Sequence, residues 1–142
     1  MKTAIIYWSG TGNTEAMAGA ILEGVKSVNA DVSCFMVSEI SADEASAYDT
    51  LVLGCPAMGA EVLEESEFDP FFTELEGKLS GKNVALFGSY GWGDGQWMRD
   101  WEQRVTDAGA KLVGGEGLTI NDAPNSEGLQ QCNEFGKTVG NL

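Results

Sequence analysis

Five strand signals along this chain are short and continuously apolar rather than alternating, and helical patterns separate most of them. A strand that is apolar on both sides needs cover on both faces, and strands joined through helices run parallel. The chain is therefore expected to form a doubly wound α/β domain around a five-stranded parallel sheet. The spacing predicts strands over 3–8, 31–37, 48–55 and 83–88, with Leu51, Val52 and Leu53 at the centre of the third. A fifth, over 112–120, is interrupted by glycines. Helices are predicted over 13–28, 68–79, 96–108 and 126–139. The first puts Ala16, Met17, Ala20, Ile21, Gly24 and Val25 along one face. The third aligns Trp97, Trp101, Val105 and Ala108, and its two tryptophans are expected to face the sheet. At 142 residues the whole span 1–142 reads as one domain, burying roughly 70% of its unfolded-chain surface.

Ligands of such sheets sit beyond the carboxyl ends of the strands, so the loops after strands one, three and four matter most. After strand one the chain reads Trp8-Ser9-Gly10-Thr11-Gly12-Asn13-Thr14-Glu15. Two glycines let the backbone curl until several N–H groups converge. The helix that follows adds unpaired amides and the positive end of its dipole. Ser9, Thr11, Asn13 and Thr14 add side-chain donors. No Lys or Arg lies between Lys2 and Lys26, so an anion here is held by neutral dipoles alone. A nucleotide-hydrolase loop would need a lysine, and a dinucleotide loop would need a third glycine where Glu15 stands. What remains is a cradle for one terminal phosphomonoester.

The loop after strand three runs Cys55-Pro56-Ala57-Met58-Gly59-Ala60-Glu61-Val62-Leu63, and that after strand four Gly88-Ser89-Tyr90-Gly91-Trp92-Gly93-Asp94-Gly95. Met58 on one side and Trp92 on the other could clamp a flat ring; alternatively they cover each other as a small apolar cluster. The turn from Met58 to Glu61 is predicted to be type II′, with Gly59 at its positive-φ position. The chain has no histidine, and its cysteines (Cys34, Cys55 and Cys132) are odd in number and far apart. No metal site and no catalytic residue are expected from that set, and the cysteines read as core thiols in a reducing cytoplasm. A net charge of −14 argues against nucleic acid and anionic membranes. It suits a basic protein partner, or simply solubility.

Three stretches together resemble the short-chain flavodoxins of anaerobic bacteria across the whole chain: residues 7–15, 57–64 and 85–93. The resemblance implies strand order 2-1-3-4-5 and bound FMN. It places Ser9, Gly10, Thr11, Gly12, Asn13, Thr14 and Ser89 around the phosphate, and Met58 and Trp92 on either side of the isoalloxazine. It puts Gly59 and Ala60 opposite flavin N5, the Glu61 carboxylate at N3–H, and amides near Gly91 at the N1/O2 edge. Ala57, Tyr90 and Gly93 complete the set. Pro56 stands where some relatives carry a hydroxyl residue; lacking an N–H, it is left out of the ribityl contacts. The function implied is a low-potential one-electron carrier, not an enzyme, working between redox enzymes in place of ferredoxin. Its partners would be basic or mixed-charge redox proteins, with the chain a cytoplasmic monomer that engages neither nucleic acid nor membrane. The alternative is a small FMN-dependent quinone reductase. A phosphoacceptor receiver domain is rejected, because Trp8-Ser9 and Gly54-Cys55 stand where its acidic residues belong. The acidic residues Glu61, Glu64, Glu65, Glu67 and Asp69 are expected to form one patch beside the flavin loop.

Overall fold

The computed structural model describes residues 2–142. Strand β1 (Thr3–Tyr7) leads into α1 (Asn13–Val28), and β2 (Val32–Met36) follows. A 3-10 turn over Val37–Glu39 and the short α2 (Ala42–Ala45) cross to β3 (Thr50–Gly54). Then come α3 (Phe68–Glu76), β4 (Asn83–Tyr90), α4 (Gln96–Asp107), β5 (Lys111–Leu112), β6 (Leu118–Asn121) and α5 (Ser126–Gly140). The sheet is parallel in the order β2-β1-β3-β4-β5, with β6 also pairing β4.

The expected fifth strand is thus two strands in one sheet position. Lys111 and Leu112 pair with Asn83 and Val84, and pairing resumes with Leu118 opposite Phe87. Between them Gly114 and Gly115 take φ of 77° and 79°, which no strand tolerates. Resumed pairing also carries β4 two residues past its expected end, because Ser89 and Tyr90 lie opposite Ile120 and Asn121. Helix α3 stops at Glu76, short of its expected end, though Leu79 stays buried. Helix α2 was not expected at all.

Two cores flank the sheet. On one face Ala4, Ile6, Leu51, Leu53 and Leu86 meet Phe68, Phe72, Trp97 and Trp101 from α3 and α4. Both tryptophans are 1% exposed, as the helical spacing predicts. On the other face Ile5, Tyr7, Val52, Ala85 and Phe87 meet Met17, Ile21, Val25, Cys132 and Val139 from α1 and α5. There α1 and α5 approach until backbone touches backbone. A methyl group on Gly24 would overlap the Asn133 carbonyl, and one on Gly136 the Ile21 carbonyl. The first helix and the last are locked together by having no side chain at these two points.

Candidate functional site

The loop after β1 is built from within. Gly12 precedes α1 in the left-handed region (φ 96°), where a side chain would be strained although space is open around it. With no side-chain cap from Gly12, Ser9 takes over: its Oγ accepts from the amides of Gly12 at 3.1 Å and Glu15 at 3.3 Å. Helix geometry leaves the Asn13 and Thr14 amides without an intrahelical acceptor. The Thr14 hydroxyl is buried and lies 3.2 Å from the hydroxyl of Ser89 on β4, which is buried too. The Trp8 ring lies against Gly10, where any methyl group would crowd it, and its Nε1 donates to Glu67 at 3.2 Å. Tyr7 donates to Glu15 at 3.2 Å; burial first, and that carboxylate second, push the phenol up to about 12.

A cleft of about 260 Å³ opens at this edge of the sheet. Gly10, Thr11 and Asn13 line it from the first loop, Ala57 and Met58 from the second, and Ser89, Tyr90 and Gly91 from the third. Three further lining residues were not in the expected set. Trp8 and Pro56 form apolar wall, and Pro56 can offer nothing else without an N–H. Among the described residues Asp122 contributes the only charged side chain to the lining, at φ 58°, with its amide donating to the Tyr90 carbonyl at 2.7 Å. Among the described residues, none that lines the cleft is a cation. Neutral hydroxyls, an amide side chain and free helix-start amides suit a phosphomonoester, so the residues present fit the phosphate end of FMN.

Other expected residues lie outside this cleft. Ser9, Gly12 and Thr14 support it from behind, while Gly59, Ala60, Glu61, Trp92 and Gly93 stand beyond its lining. Trp92 is 68% exposed, so it does not belong to an apolar cluster with Met58. The turn at Met58 is one residue longer than expected. Met58 and Val62 exchange amide–carbonyl bonds of 2.8 and 3.0 Å around three residues. Gly59 has positive φ as predicted, at 49°, and Glu61 has it as well, at 57°. The Glu61 carboxylate leaves the cleft and accepts from the amides of Gly95 (3.1 Å) and Gln96 (3.2 Å) at the start of α4.

The expected acidic patch disperses. Glu64 is only 6% exposed, and its carboxylate collects the amides of Ser66 (2.9 Å), Glu67 (2.8 Å) and Phe68 (2.9 Å) together with the Ser66 hydroxyl. Burial alone would raise its pKa; these donors, led by Ser66, outweigh burial and hold it below the usual range. Asp69 pairs with Arg104 at 2.9 Å, and Arg104 also holds Glu76 at 2.7 Å. Glu65 and Glu67 remain exposed. Cys55 and Cys132 are buried and Cys34 is half-buried, with no disulfide between them. Burial pushes the Cys34 and Cys132 thiols up to about 11 and Cys55 further still, which favours the thiol over the thiolate at all three. Among the described residues, no helix is long and apolar enough to cross a membrane.

The family model described as Flavodoxin matches residues 5–136. The chain is 52% identical to a flavodoxin of Clostridium beijerinckii over 138 residues, covering 97% of this chain and 99% of that one. It is 49% identical to a flavodoxin of Megasphaera elsdenii over 135 residues, covering 95% and 96% of the two. The solution structure of the two-electron reduced Megasphaera elsdenii flavodoxin superposes with a TM-score of 0.90 at 46% identity, covering 99% of each chain.

Proposed function

This chain belongs to the flavodoxin family, FMN-binding electron carriers rather than enzymes, and on that premise we propose that it is a low-potential carrier shuttling single electrons between redox enzymes in place of ferredoxin. The observation that carries the reading is the cleft itself, lined at the carboxyl edge of the sheet by neutral donors, with Asp122 as its charged member. FMN, when bound, supplies the one-electron chemistry; the residues of the chain hold it and set its surroundings.

In this reading Ser9, Gly10, Thr11, Gly12, Asn13 and Thr14 hold the phosphate, with Ser89 behind them. Met58 and Trp92 flank the ring, Gly59 and Ala60 face N5, Glu61 serves N3–H through its second oxygen while Oε1 keeps the Gly95 and Gln96 amides, and amides near Gly91 serve the N1/O2 edge. Ala57, Tyr90 and Gly93 complete the walls. Asp122 joins the expected set as the one carboxylate in the cleft, where it disfavours added negative charge on the ring. A single domain over residues 1–142, acting as a cytoplasmic monomer, fits the length and charge. The net charge of −14, with Glu65 and Glu67 exposed near the second loop, favours basic or mixed-charge redox partners over nucleic acid or membrane.

Redox titration of the FMN-loaded chain, followed by visible absorbance, tests the reading. The expected result is two separate one-electron couples, the second near the roughly −400 mV of plant-type ferredoxins. A single two-electron step would overturn it and favour the reductase alternative.

A further inference from the structure

Glu61 occupies a conformation that non-glycine residues seldom adopt, φ 57°, and its side chain crosses from the loop after β3 to the start of α4. One oxygen, Oε1, takes both the Gly95 and the Gln96 amide. A methyl group on Gly93 would overlap this same carboxylate, so the missing side chain at 93 is what lets it through. Arg99, on the same helix, does not compete for it: it is committed to Asp94 and to the side chain of Gln96, whose Nε2 donates to Asp100. The two segments joined in this way carry Met58 and Trp92.

We propose that Glu61 is a positioning residue whose carboxylate fixes the separation of the Met58 and Trp92 loops before any cofactor arrives, and that residue 93 is glycine to admit it. The strained backbone at 61 aims the side chain across the gap, and the helix-start amides hold it there. The two loops are thereby tied together in the ligand-free chain, and binding need not order both at once. The inference rests on the FMN reading for the second arm of its test only.

The first arm is amide hydrogen exchange in the full-length, ligand-free chain. Glu61→Ala is expected to speed exchange at Gly95 and Gln96 at least about tenfold, and Glu61→Gln, which keeps a carbonyl acceptor, to restore most of the protection. Unchanged exchange in Glu61→Ala would overturn the proposal. The second arm compares FMN affinity in Gly93→Ala and Gly95→Ala. Both glycines sit near φ 90°, so backbone strain is matched, but a methyl group at 95 meets nothing closer than Arg99 Nη1 at 3.6 Å. Gly93→Ala is expected to lose at least about tenfold more affinity than Gly95→Ala, and that excess to vanish in the Glu61→Ala background. Equal losses, or an excess that persists without Glu61, would also overturn it. If the wild-type chain takes up no FMN, the carrier reading fails, while the exchange arm still decides the role of Glu61.

Discussion

The loops after β1 and after β4 meet at one cleft but are made in opposite ways. The first is tied mainly by its own residues: Ser9 Oγ satisfies two of its amides and Trp8 covers Gly10, with the Ser89 hydroxyl of β4 as an outside anchor at Thr14. The second, over 91–94, is exposed throughout, and its far end is held from another loop by Glu61. A site for a charged group must be preformed, because donors that are not already converged lose entropy on converging. A site for a flat apolar ring can be looser, since dispersion and burial are not directional. The phosphate end of the cleft is therefore expected to supply rigid affinity, and the ring end to adapt around the exposed Trp92 while Glu61 holds the roots of its two loops together.

The largest expected effect tests the rigid half. Removing the phosphate from the ligand removes several charge-assisted hydrogen bonds of about 1.5–3 kcal/mol each, so riboflavin should bind apoprotein at least a hundredfold more weakly than FMN. Calorimetry showing the two within a few-fold would mean that the first loop contributes shape and no electrostatic hold.

The next concerns the root of the loop between the two. Glu64→Ala strips the amides of Ser66, Glu67 and Phe68 of their acceptor, and should cost about 1.5–3 kcal/mol in chemical denaturation. The pH dependence has a definite sign. Because the folded carboxyl is held below its unfolded value, its contribution is complete above the unfolded pKa and lost as pH falls through the folded one. Acid unfolding curves of the wild type and Glu64→Gln should therefore converge as pH falls. Parallel curves would leave Glu64 a surface charge like Glu65.

A smaller effect probes the adaptable half. Trp92→Ala should weaken FMN by about 1–3 kcal/mol, the range for an aromatic stacked on a planar ring. It should leave the ligand-free chain within about 0.5 kcal/mol of wild type, because the side chain is exposed there. A large stability loss without ligand would make Trp92 part of the core and remove the contrast between the loops. The smallest effect is Gly59→Ala. Nothing lies within 4 Å of the added methyl group, so only the positive φ counts, at about 1 kcal/mol. A larger loss of stability would show that the second loop is as tightly built as the first.

The parts of this molecule that were legible in sequence are those set by local chemistry. Helix α1 begins and ends where the glycine turn and the 3.6-residue pattern put it, and Trp97 and Trp101 face the sheet as their spacing requires. The parts that were not legible depend on distant partners or on very short elements. Helix α2 has four residues and no measurable period, although its Ser41-x-x-Glu44 capping box was a readable signal. Asp122 enters the cleft because β6 pairs with the end of β4, which strand propensity does not reveal. The acidic run read as a single charged face because neither the burial of Glu64 nor the reach of Arg104 from α4 to Asp69 is encoded nearby. Pro56 stands in the cleft wall as an apolar surface, a place that needs no N–H.

The close seating of α1 against α5 makes the loop after β1 depend on residues far from it in sequence. Helix α1 starts at that loop, and its other side rests on α5, with Gly24 and Gly136 at the points of contact. The two helices are therefore expected to act as one brace behind the loop. Gly136→Ala, which would overlap the Ile21 carbonyl, should push α1 off its seat and weaken FMN binding although residue 136 is not among those proposed to touch the cofactor.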